Sequence, residues 1–150
     1  MSDSLLRLIP EQPQFEPSHA AGGTAIRALK ALIPSAASVN AYRFREIRFV
    51  DQGSNFERIL CPHCEQEITS HWPGWMDECS KSQFTQRNVI MPCCQRESDL
   101  NDLAYEWPVG FARFVLEIEN SDPSEWLPGP TQESLEGILG CGVRQILAHY

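Results

Sequence analysis

No apolar run in the 150 residues approaches the roughly 18 that a membrane-spanning helix needs. The opening Met1-Ser2-Asp3-Ser4-Leu5-Leu6-Arg7-Leu8-Ile9-Pro10 also lacks a basic segment followed by a long apolar one. The first absence excludes a helical membrane protein. The second points to the cytoplasm, where thiols are normally reduced. Basic residues are few, 12 Lys+Arg against 20 Asp+Glu, for a formal net charge of -8. The deficit lies in the C-terminal part: residues 1–60 hold seven basic and six acidic side chains, residues 61–150 five and fourteen. Nucleic acid is disfavoured as a partner, because its electrostatic footprint is a basic stripe. The nearest approach to one, Arg43, Arg45, Arg48 and Arg58, is interrupted by Glu46, Asp51 and Glu57 and reads as a solvated strand face. Neither Gly22-Gly23 nor Gly140-Cys141-Gly142 fits a nucleotide-binding fingerprint. No internal repeat or low-complexity segment stands out.

What is present is a 42% hydrophobic composition, which excludes disorder. A chain of this length buries roughly 68–70% of the surface its unfolded form exposes, so a core can hold it without a disulfide framework. The six cysteines therefore need another explanation.

Residues 4–9 read as a strand, ended by the proline-spaced run Pro10, Pro13 and Pro17. Ile26, Leu29 and Ile33 recur at helical spacing, with Thr24 as the cap and Pro34 as the stop. Residues 41–50 are β-rich, and their apolar face changes near Glu46, which suggests a bulge. A turn at 51–55 and a strand at 56–60 lead into the first cysteine pair. Residues 61–98 show no sustained helical period and read as an irregular insertion. Leu103, Tyr105 and Trp107, then Phe114, Leu116 and Ile118, alternate as a hairpin about Pro108-Val109-Gly110. A loop at 121–130 precedes a closing helix carrying Leu135, Ile138, Leu139, Val143, Ile146, Leu147 and Tyr150, with a break expected at Gly140 or Gly142. The order predicts a single α+β domain over residues 1–150, a ferredoxin-like sandwich with an inserted zinc-ribbon-like, metal-binding segment at residues 53–98.

Cys61-Pro62-His63-Cys64 carries two thiols at a spacing where one tight turn can aim both at an ion while its backbone N–H groups donate to them. A second pair, Cys93-Cys94, comes after Met91-Pro92. Two facing pairs have the geometry of a zinc ribbon and point to a closed, structural Zn2+ site on Cys61, Cys64, Cys93 and Cys94. Adjacent side chains of an extended strand point to opposite faces, so both members of the second pair can bind only if the chain turns there. His63, His71 and Cys79 stay open as substitutes for one of them. Cys141 reads as a small apolar core residue.

The competing chemistry is redox. Cys61-Pro62-His63-Cys64 is also the active-site tetrapeptide of oxidising thioredoxin-superfamily members, whose first thiol is activated at a helix N-terminus. Pro73-Gly74 would end any such helix within about two turns. Trp72 and Trp75 could form an aromatic platform, though packing is the commoner use. His149 reads as a stabiliser of the closing helix's C-terminus.

The stretch Leu100-Asn101-Asp102-Leu103-Ala104-Tyr105-Glu106-Trp107-Pro108-Val109-Gly110-Phe111-Ala112-Arg113-Phe114, downstream of Pro92-Cys93-Cys94, resembles uncharacterised bacterial proteins that pair a cysteine-rich zinc ribbon with a small α+β domain. The resemblance covers residues 40–150. It implies that the four cysteines belong to one site, and it implies no activity. A noncatalytic zinc-stabilised binding or interaction protein is the leading expectation, its partner left open with an unidentified protein as one candidate, and a thiol-disulfide oxidoreductase is the alternative.

Overall fold

The computed structural model describes residues 4–120 and 126–150. Its elements in chain order are β1 (Ser4–Pro10), α1 (His19–Leu32), β2 (Ala36–Val50), β3 (Ile59–Leu60), α2 (Trp72–Ser80), β4 (Asn88–Ile90), β5 (Glu97–Asp99), β6 (Ala104–Tyr105), β7 (Gly110–Asn120), α3 (Gly129–Leu139) and β8 (Val143–His149). The fold is α+β. β2, β7, β1 and β8 lie side by side in that order in one antiparallel sheet. The β1-α1-β2 crossover spans β7, and the β7-α3-β8 crossover spans β1, so the two units interleave.

Alternation builds the sheet. Leu6 and Leu8 of β1, Phe114, Leu116 and Ile118 of β7 and Val39 of β2 bury against Ala25 and Leu29 of α1 and Leu135 and Leu139 of α3. Ile9, Val50, Ala112, Val115 and Ile146 form a second cluster with Phe44 packed against it. The β2–β7 register jumps between Arg43 and Arg48, where the bulge near Glu46 is expected.

Several expectations are corrected. α1 is capped by Ser18, whose hydroxyl accepts from the Ala21 N–H at 3.1 Å. Thr24 lies inside the helix instead, its hydroxyl donating to the Ala20 carbonyl at 3.0 Å. The helix stops before Pro34 as expected. The closing helix ends at Leu139, and Gly140 takes the left-handed conformation (φ 77°) while its N–H closes on the Glu136 carbonyl. The chain then enters β8, a strand and no longer a helix. Val143 and Leu147 join the helix-side core, and Ile146 joins the cluster on the other face. A strand buried on both faces carries apolar residues at steps of three and four, which imitates a helical stripe. His149 therefore caps no helix; its Nδ1 lies 3.1 Å from the Ser4 hydroxyl. Residues 103–118 do not form a hairpin either: β6 pairs with β3, and β7 runs unbroken between β2 and β1. The loop expected at 121–130 lies largely outside the described residues.

Residues 61–98 are not irregular. Pro73 sits in the first turn of α2, where its missing N–H has no helical partner to lose, so it opens the helix and does not end it. Ile59, Cys61, Ile68, Val89, Met91 and Leu100 bury together with Ile47 of β2 and Phe111 of β7. Each fully buried large side chain there contributes about 1.5–3 kcal/mol, so apolar burial anchors this lobe to the main sheet. Gly53 makes a further tie: with φ +61° it passes so close to β8 that the Ser54 N–H donates to the His149 carbonyl at 2.7 Å.

Candidate metal centre

The two cysteine pairs sit at the tips of two hairpins with the same wiring. In the first, Leu60 faces Glu67, the Cys61 N–H donates to the Gln66 carbonyl at 2.8 Å, and the Glu65 N–H donates to the Cys61 carbonyl at 3.0 Å. In the second, Ile90 faces Glu97, the Met91 N–H donates to the Arg96 carbonyl at 2.8 Å, and the Gln95 N–H donates to the Met91 carbonyl at 2.8 Å. Glu65 and Gln95 close their turns with φ of 64° and 63°. Cys61-Pro62-His63-Cys64 therefore superposes in role on Met91-Pro92-Cys93-Cys94, thirty positions later. This is an internal repeat that sequence reading misses, because Met91 replaces the first cysteine and Cys93 stands where the first turn has His63.

The sulfurs of Cys61, Cys64, Cys93 and Cys94 all lie within 4.8 Å of one another and could hold a metal ion. Cys64 and Cys93 approach to 3.2 Å, Cys61 and Cys94 to 3.7 Å. Cys61 is buried, Cys94 half-buried, and Cys64 and Cys93 are exposed. The turn required at the adjacent pair is there: the third residue of each tip sends its side chain across to the other hairpin. His63 Nε2 reaches Ser98 at 2.8 Å from its Oγ, and the Cys93 sulfur reaches Cys64.

Local electrostatics divide the sulfurs. Burial alone would raise the Cys61 thiol, but the N–H groups of Cys64 and His63, together with the thiols of Cys93 and Cys64, bring it down to about 6. The Cys93 thiol is pushed up to about 12, first by its hydrogen bond with Cys64, then by burial and by Cys61. Four thiolates this close repel one another, and a bound cation removes that repulsion.

None of the three substitutes joins the cluster. His63 is turned onto Ser98, His71 stacks on Trp75 with ring centroids 5.7 Å apart, and Cys79 is buried among the lobe's apolar side chains, its thiol raised by that burial. Cys141 packs half-buried against the main core. Trp72 donates from Nε1 to the Tyr105 hydroxyl at 3.1 Å and lies between Phe49 and Phe56, which is packing. The Cys61–Cys64 turn leads into a hairpin strand, not a helix N-terminus, so the feature that activates a redox thiol in that motif is missing at this turn.

No family model and no curated protein matches the chain. Among solved structures it is similar to Csm1–Csm4 cassettes in complex with pppApApA and with AMPPNP, each at 11% identity, covering 100% of this chain and 71% of the other, with a TM-score of 0.24. So slight a likeness carries no argument about fold or function. Among the described residues, no helix is long and apolar enough to cross a membrane.

Proposed function

We propose that the protein is a noncatalytic binding or interaction module whose lobe between β2 and β7 is stabilised by one structural Zn2+ on Cys61, Cys64, Cys93 and Cys94. The observation that carries this is the convergence of four sulfurs, from two hairpin tips, within 4.8 Å. A tetrahedral zinc with Zn–S of about 2.3 Å separates its sulfurs by about 3.8 Å, close to the separation of Cys61 and Cys94 at 3.7 Å, while Cys64 and Cys93 stand closer at 3.2 Å. Soft thiolates suit zinc over calcium or magnesium, which take oxygen ligands. Four protein ligands leave no open position for a reacting water, which makes the role structural.

The paired hairpin tips support a zinc-ribbon-like reading of this lobe. The interleaved crossovers over a β2-β7-β1-β8 sheet support a ferredoxin-like reading of the body. For binding, the sheet offers a cavity of about 340 Å³ whose lining includes Tyr42, Phe44, Phe49, Arg48 and Val115. Arg7, also in the lining, is held by Glu117 at 3.1 Å and Asp51 at 3.5 Å. Aromatic walls with mutually neutralised charges suit a protein segment better than a polyanion. A cytoplasmic setting, where thiols stay reduced, fits the same reading.

The alternative, a thiol-disulfide oxidoreductase using Cys61 and Cys64, gains support from the lowered Cys61 thiol but leaves Cys93 and Cys94 without a role. Metal analysis of protein purified without chelator, combined with binding of Co2+ in place of zinc, tests the proposal. The expected result is about one metal per chain and the absorption of tetrahedral thiolate ligation.

A further inference from the structure

The repeat makes the four sulfurs unequal. In each tip, the first residue has its N–H and carbonyl locked into the turn, and it is fully buried: Cys61 in the first tip, Met91 in the second, each 0% exposed. Cys61 also accepts from the His63 N–H at 3.4 Å. The fourth residues, Cys64 and Cys94, hold the same place in their turns. Cys93 belongs to neither set. It occupies the third place, at the outer corner, is exposed to solvent, and reaches the other sulfurs only by crossing sideways as His63 does toward Ser98. As the immediate neighbour of Cys94 it can share an ion only while the turn aims two side chains together that extended backbone would separate.

From this asymmetry we propose that Cys93 is the displaceable ligand of the centre and its modification site for soft, thiol-directed electrophiles. The inference rests on the zinc reading above. The bond between the Cys93 sulfur and the metal breaks with its electron pair on the sulfur, the thiolate forms a bond to the electrophilic carbon, and the carbon's leaving group departs with the electrons of the bond it leaves. The metal stays on Cys61, Cys64 and Cys94. Cys61 is shielded by burial, and Cys64, though exposed like Cys93, holds the fourth place of its turn, the place Cys94 holds in the other, whereas Cys93 alone ligates from a third place.

The test uses the zinc-loaded full chain and limiting iodoacetamide, with zinc content and the site of the carbamidomethyl adduct read together by mass spectrometry. The expected result is an adduct on Cys93 ahead of Cys61, Cys64 and Cys94, with fragmentation of the shared peptide placing it on Cys93 and not on the adjacent Cys94, and with the metal retained. First modification at Cys64, Cys61 or Cys94 overturns the inference and leaves the zinc reading intact; a chain that takes up no zinc overturns both. The double variant Met91→Cys, Cys93→Ser moves the ligand into the locked first place and is expected to keep zinc and lose the fast step. Should that variant fail to fold, Cys93→Ser at saturating zinc makes the same distinction: persistence of the fast step in it contradicts the proposal.

Discussion

Met91 stands in its hairpin where Cys61 stands in the other: both are fully buried, both donate an N–H to a carbonyl five residues on at 2.8 Å, and both accept from the residue four positions on. One offers its sulfur to the four-cysteine cluster and the other is a thioether among apolar neighbours. The second tip has no cysteine in its first place and brings the third-place Cys93 to the cluster instead, so the four-sulfur set includes both members of the adjacent pair.

Cys93→Ser and Cys94→Ser are each expected to lower zinc affinity by more than the roughly 10–100-fold typical of losing a partner behind a ligand. Cys79→Ser, Cys141→Ser and His71→Ala should keep full occupancy, because those side chains lie outside the four-sulfur cluster. Competition against a chromogenic chelator measures this. Metal lost with Cys79→Ser or His71→Ala contradicts the ligand set.

Removal of the metal by a chelator is expected to loosen the tips while the body stays folded on its own burial. By hydrogen exchange, the Cys61, Glu65, Met91 and Gln95 amides lose protection, and Leu8 and Leu116 in the main sheet keep theirs. Equal protection of the tips with and without zinc would show that the apolar cluster beneath them suffices.

Phe111 joins the sheet to the lobe: it lies on β7 yet packs at 5.4 Å from Phe49 and 4.9 Å from Phe84 between ring centroids. Phe111→Ala should destabilise the protein by about 3–5 kcal/mol in urea unfolding, the usual range for emptying a buried phenylalanine site. A loss below about 1 kcal/mol would mean that the lobe is not anchored there.

Two glycines should respond in opposite directions. A Cβ on Gly53 would collide with the His149 carbonyl in a left-handed backbone, whereas one on Gly137 of α3 meets nothing within 4 Å. Gly53→Ala is expected to lower stability by at least about 1–3 kcal/mol and Gly137→Ala to raise it by about 0.5–1 kcal/mol, measured as midpoint shifts in urea. Equal effects would contradict the placement of the 51–55 loop against β8.

The four-cysteine cluster is legible in the sequence because its signal is local: two thiols three apart beside a proline announce a turn that can hold an ion, and Met91-Pro92 marks the second. The bulge near Glu46 is legible from the switch of apolar faces along 41–50. β8 is not, because Val143, Ile146 and Leu147 serve both faces of a sheet and so mimic a helix. α2 is hidden by Pro73, a breaker in a helix interior but an acceptable residue in a first turn. The repeat is hidden because the clustered cysteine stands in the first place of one tip and the third place of the other. Long-range pairing of β6 with β3 leaves no local trace at all, since two residues of strand carry no period.

The central claim is one zinc on four thiolates, and the most direct measurement is zinc content together with thiol counting on the same preparation. The predicted result is about one zinc per chain, most thiols slow to react in the native protein, and all six titrating in denaturant with chelator. No zinc, together with four titratable thiols and a reducible Cys61–Cys64 bond, would contradict it and favour dithiol chemistry.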